Sequence, residues 1–195
     1  QINFTDEESR IMKAGNGKHF EQAYNAQAAV DTNGSMMILG KYVTNKCNDK
    51  QELNNAVDSV AKDVGEIKKV SADNGYLNED EIKKLECKTN GKTKAYVALG
   101  KNKHGKKLKE LNKVRVKEKN ENLSEGNFQF RIKRRMRSKE GHDFYRLRKM
   151  TVEPVFGIIK QAMGFRQFLV RGIEKTNTEW DLVTLAYNFK RMHSL

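Results

Sequence analysis

The stretch Val70-Ser71-Ala72-Asp73-Asn74-Gly75-Tyr76 carries an apolar run into a turn. β-Branched and apolar residues followed by Asp-Asn-Gly predict a strand, Ile67 to Asp73, that stops at a carboxylate. Open α/β sheets bind ligands just beyond the carboxyl ends of their strands, so Asp73 is placed where chemistry happens in such folds. Taken alone, Asp-Asn-Gly is also ordinary turn chemistry. Upstream, Asn33-Gly34 separates Gln22–Asp31 from the β-rich run Met36–Thr44, a strong hairpin signal. Asn48 or Asp49 is positioned to cap a helix with Leu53, Ala56, Val57, Val60 and Ala61 on one face, ending near Gly65. Downstream, Asn78 with Glu81 three residues on resembles a capping box, and Ala95–Leu99 reads as a short buried strand. Hairpin, helix, strand, helix, strand predicts an α/β domain with a mixed sheet and helices packed on it.

A second stretch, Thr151-Val152-Glu153-Pro154-Val155-Phe156-Gly157-Ile158-Ile159-Lys160, holds the only proline of the chain. Proline favours the first turn of a helix, which would put Glu153 at the positive end of the helix dipole. Val152, Phe156, Ile159 and Met163 recur at helical spacing as a buried stripe. Lys160 follows Glu153 by two helical turns and shares its face, with Gly157 between them leaving room for a backbone to approach. A last helix, with Leu182, Leu185, Ala186 and Phe189 on its apolar face, is expected to close the domain, and Trp180 reads as core.

The chain has 195 residues and a formal charge of +13. That length suits one domain, 1–195. Lys101 to Lys149 holds eighteen basic residues against six acidic ones, so nearly the whole excess sits in one segment. Such concentration points to a polyanionic partner rather than to general solubility. Residues 100–140 read as a basic, mobile insertion whose densest run is Arg131-Ile132-Lys133-Arg134-Arg135-Met136-Arg137. Cys47 and Cys87 form no Cys-x-x-Cys pair, which argues against zinc and favours a reducing, cytoplasmic setting. His19, His104, His142 and His193 show no ligand spacing. No apolar run approaches the roughly 20 residues needed to span a bilayer.

Ala72-Asp73-Asn74-Gly75-Tyr76, then Tyr145-Arg146-Leu147-Arg148-Lys149 leading into Val152-Glu153-Pro154-Val155-Phe156-Gly157 and Lys160, then Gly164-Phe165-Arg166, resemble the catalytic core of bacterial insertion-sequence DDE transposases. The resemblance runs from about Thr5 to the C-terminus and includes Tyr24–Asp31 and Arg171–Lys175 with Trp180, Leu182, Val183, Ala186 and Asn188. It implies a ribonuclease-H-like fold and metal-dependent DNA strand cleavage and transfer. Asp73 would be the second acid of the triad and Glu153 the third, both binding Mg2+, with Mn2+ as a substitute and two ions expected. Lys160 would grip phosphate near the transposon end. Where the family carries Tyr and Arg before the Glu, this chain has Arg146 and Lys149, and lysine cannot reproduce the bidentate contact of arginine. Arg148, Arg134 and Arg135 join them as candidate DNA contacts.

The implied partners are double-stranded DNA, as transposon end and target, and a second copy in a homodimer on DNA, in a nucleoid-associated setting. The first acid of the triad is expected upstream of Asp6 and Asp31. With no initiating Met, the chain is therefore expected to be the C-terminal part of a transposase whose first strand is missing. Two other readings stand beside it: a non-catalytic basic nucleic-acid-binding protein, and a different ribonuclease-H-like nuclease.

Overall fold

The computed structural model describes residues 3–13, 19–99 and 127–195. Over 100–126 the expected insertion lies outside the described residues. The chain divides into two compact units, Gln1–Glu66 with Leu147–Leu195, and Ile67–Arg146.

In the first unit, β1 (Arg10–Lys13) pairs antiparallel with β2 (Phe20–Ala23), and β3 (Asn25–Val30) with β4 (Ile38–Thr44). The Asn33-Gly34 hairpin forms as expected, with Gly34 at φ 104° where residues with a side chain are strained. Its loop is held by Asp31, which accepts hydrogen bonds from Ser35 Oγ at 2.6 Å and from the Asn33 N–H at 3.0 Å. Burial pushes the Asp31 carboxyl up, but these bonds outweigh it and leave the group below its ordinary value of 3.8. A depressed carboxylate contributes stability above its unfolded value that is lost as pH falls through the folded one. Asp31→Ala is therefore expected to lower the urea midpoint at neutral pH and to have little effect in acid; an equal loss at both would contradict this.

The helix α1 is shorter than expected, Leu53–Asp58, because Val60 leaves it to bridge Gly40 of β4. Glu52, not Asn48 or Asp49, occupies the N-cap position, and Asp49 instead accepts the side-chain amides of Asn25 and Gln27, each at 2.7 Å.

The last helix, α5, spans Ile173–Met192. It packs the opposite way from expectation. Leu182, Leu185 and Phe189 are exposed, whereas Thr176, Trp180, Thr184 and Tyr187 are buried. Asn177 and Asn188 on α5 explain the choice. The Asn177 amide accepts from the Val43 N–H at 2.7 Å and donates to the Val43 carbonyl at 3.3 Å; Asn188 does the same for Ile38 at 2.9 and 2.8 Å. Backbone polar groups of a strand need partners, which an apolar helix face cannot supply. Beneath these bonds Ile38, Val43, Val155, Ile159, Trp180 and Tyr187 form the core.

In the second unit, β5 (Lys69–Ala72) pairs parallel with β6 (Lys94–Val97). Helix α2 (Glu79–Lys88) starts at Asn78, whose side chain accepts from the Asp80 N–H at 3.0 Å, as the capping pattern requires. Helix α3 (Phe128–Arg137) corrects the expectation of a mobile segment over these residues. Asn127 caps it at 2.9 Å to Gln129, and Phe128 and Ile132, one turn apart, are buried. These two apolar anchors at i and i+4 share one face of an otherwise basic helix.

Helix α4 (Lys139–Gly157) begins in the second unit and ends in the first, continuing as a single π-helical stretch over Ile158–Ala162. Among the described residues the strands thus form three two-stranded ladders, two antiparallel and one parallel, within a mixed α/β chain of five α-helices.

Candidate active site

Asp73 stands where β5 ends. Its backbone is extended, and Oδ1 accepts the Gly75 N–H at 2.8 Å, capping a short 3-10 turn over Asn74–Tyr76. The strand-to-turn reading of this stretch holds, and the carboxylate is half-buried.

Glu153 stands elsewhere than expected. Pro154 lies inside α4 rather than in its first turn, so Glu153 is fourteen residues past the helix start, far from the positive end of the dipole. An internal proline forfeits its bond to the carbonyl four residues back and costs roughly 3 kcal/mol. Here that carbonyl belongs to Met150, which is exposed, so water can satisfy it. The burial of Thr151, Val155 and Ile159 keeps the helix running. Glu153 projects from the other side, its side chain 54% exposed and paired with Arg148 at 3.3 Å.

Lys149, Glu153, Gly157 and Lys160 all lie exposed, away from the buried line Thr151, Val155, Ile159. The shared face of Glu153 and Lys160 survives although Lys160 falls in the π turn, closed by the Met163 N–H to the Ile158 carbonyl at 2.9 Å. Single π turns are rare and often mark functional sites.

The remaining candidates divide. Arg134 and Arg146 are exposed in the second unit. Arg135 is not: its side chain is 17% exposed, pairs with Glu86, donates to the Ala95 carbonyl at 2.8 Å and lies 5.9 Å from the Tyr96 ring centre. That guanidinium serves the fold. Arg148 is half-buried against Glu153. The sequence put both arginines in a basic cluster because charge density says nothing about which cations turn inward. Asp6 and Asp31 are engaged within the first unit, Asp6 by the Tyr24 hydroxyl at 2.7 Å and the Gly172 N–H at 3.4 Å, and Asp31 by Ser35.

A divalent ion of the Mg2+ type asks for hard oxygen ligands and keeps much of its water. Asp73 and Glu153 offer carboxylates at least partly open to solvent, a donor chemistry that fits. Among the described residues no group of three or more His, Cys, Asp or Glu side chains gathers as a metal cluster.

The family model for the transposase DDE domain matches residues 4–189. The chain belongs to that family. Membership makes it a transposase domain, with DNA as the implied partner, and DDE transposases as a family act as nucleases and transferases with divalent metals. Comparison with curated proteins and with solved structures finds no match. No helix of this transposase domain among the described residues is long and apolar enough to cross a membrane.

Proposed function

We propose that this domain serves a transposase that cleaves and transfers DNA strands at insertion-sequence ends, with Asp73 and Glu153 as the second and third acids that hold Mg2+ or Mn2+, the first acid of the triad being unassigned within this chain. The observation that carries the reading is the exposed line on α4 with Glu153 one turn from Lys149 and two from Lys160. An acid flanked by cations on an exposed helix face suits a metal-bound phosphate whose neighbours along the strand need neutralising. When bound, two such ions activate the attacking oxygen and stabilise the leaving one in an in-line displacement.

The protein's own residues do the rest. Asp73 is oriented by the Gly75 N–H. Arg148 holds Glu153 and partly neutralises it. Lys149 on α4 and Lys160 on the π-helical stretch that continues it, with Arg134 and Arg146, bind phosphates; Arg135 is left out of the DNA-binding set because its guanidinium is bound within its own unit. Neither Asp6 nor Asp31 is assigned to the triad, since the Asp6 carboxylate ties Tyr24 to the Gly172 N–H and Asp31 holds its own hairpin loop.

The finer fold is proposed as one ribonuclease-H-like domain with 100–140 as a basic insertion, supported by the order of hairpin, helix, strand, helix and strand and by the parallel β5–β6 pair. A homodimer on DNA in the bacterial nucleoid follows from the need to join two ends.

The test of DNA binding is a salt series by fluorescence anisotropy with duplex DNA. The slope of log affinity against log salt is about −0.9 per phosphate contacted. Lys160→Ala is expected to reduce the slope by about 1, uniformly across sequences. An unchanged slope would remove Lys160 from the interface.

A further inference from the structure

We infer that Gly157 is a contact point for the DNA sugar-phosphate backbone, a notch in the exposed α4 line between Glu153 and Lys160. This rests on the proposed DNA-strand chemistry and deepens it.

The reasoning starts from what a glycine costs. A helix-interior glycine loses roughly 0.5–1 kcal/mol relative to alanine, so it persists where something else requires it. Two other glycines show what such a requirement looks like. A Cβ on Gly40 would meet Ser59 Oγ at 2.5 Å and the Val60 backbone N at 2.9 Å, and one on Gly141 would run into the Arg135 carbonyl oxygen. Those positions admit no side chain because the chain itself passes there.

Gly157 has neither that reason nor a conformational one. Its φ of −60° and ψ of −46° are ordinary right-handed helix, open to any residue. Among the described residues, a Cβ built there has nothing within 4 Å. Helix packing, the ordinary reason for such a glycine, therefore fails. What remains is its place: exposed, four residues after Glu153 and three before Lys160, on the line those side chains occupy.

A phosphate held near Glu153 and another gripped by Lys160 would carry the intervening sugar across the helix at Gly157. A side chain there would hold the strand off both groups. The π turn that follows widens the helix at Lys160 without being the cause of the glycine, whose own dihedrals are α-helical.

The experiment compares wild type with Gly157→Ala, Gly157→Leu and Lys160→Ala on a duplex of the element's terminal inverted repeat. Affinity is read by anisotropy and stability by thermal unfolding. Gly157→Ala is expected to raise the thermal midpoint, since alanine is the better helix former. It should nevertheless weaken DNA binding several-fold, and Gly157→Leu should weaken it further, at least about 10-fold for the added bulk at a close-packed contact. Unchanged affinity in both glycine variants, with Lys160→Ala weakened, overturns the inference and leaves the DNA-facing helix standing. Unchanged affinity in all three overturns both.

Discussion

In an active transposase that contains this domain and the first acid of the triad, Glu153→Gln abolishes Mg2+-dependent strand cleavage, by at least about 10³-fold, while the domain stays folded and keeps its affinity for duplex DNA. The size follows from the several kcal/mol that metal ions supply to a displacement at phosphorus, each 1.36 kcal/mol being tenfold in rate. Glutamine keeps the shape of Glu153 but replaces an anionic oxygen with a neutral one, a poor substitute for a hard cation. Folding is spared because the side chain is 54% exposed and its pairing with Arg148 is a surface contact, a class worth about 0–1 kcal/mol. Asp73→Asn is expected to give the same loss. Asparagine caps a turn as well as aspartate does, so the bond from the Gly75 N–H persists and only the charge is removed. Cleavage of a terminal-repeat duplex, read on a denaturing gel, checks both; retained cleavage with Mg2+ in either variant would contradict the assignment.

Trp180→Ala unfolds or nearly unfolds the first unit. The indole is 1% exposed and packs on Phe156 at 6.0 Å, Phe165 at 6.2 Å and Phe168 at 6.5 Å between ring centres. Its N–H donates to the Gln27 carbonyl at 2.9 Å, tying α5 to β3. Truncating a buried Trp costs roughly 3–5 kcal/mol, and the abandoned carbonyl adds about 1–3 kcal/mol if water cannot reach it. The sum, about 4–8 kcal/mol, is comparable to the whole stability of a domain at the lower end of the typical range of about 5–15 kcal/mol. Urea unfolding followed by far-ultraviolet circular dichroism measures the change, because the substitution removes the only tryptophan of the chain. A loss under about 1 kcal/mol would show a peripheral residue instead.

Much of this was legible in the sequence where a local rule had no competitor. The Asn33-Gly34 hairpin, the strand that stops before Asp73 and the Asn78 cap all formed because turn and cap chemistry are settled within a few residues. Pro154 was misleading because its preference for a first turn is statistical, and it was given more weight than the helical signal that already returns near Phe144. α5 was misread for a deeper reason. Apolar residues were assumed to mark the inward face, but the Val43 and Ile38 backbones of β4 need amide partners, and Asn177 and Asn188 bring a polar face inward. The basic helix α3 escaped notice because its anchors, Phe128 and Ile132, are a faint signal among six charged or polar neighbours. In the candidate site the identities of Asp73 and Glu153 came from the family pattern, since chemistry alone does not separate them from the other acids of the chain. Gly157 was legible as a place where a backbone could approach, but the sequence could not separate that from helix packing, which the open space around its Cβ position decides.

The most direct test is to titrate Mn2+ into the isotope-labelled chain and follow paramagnetic broadening of its amide resonances, which reports even weak binding. Broadening centred on Asp73–Gly75 and on Glu153 with its helical neighbours, lost at each locus in Asp73→Asn and Glu153→Gln respectively, is the predicted result. Broadening centred instead on Asp6 or Asp31, or unaltered by either substitution, would contradict the assignment of Asp73 and Glu153 as the metal-binding carboxylates.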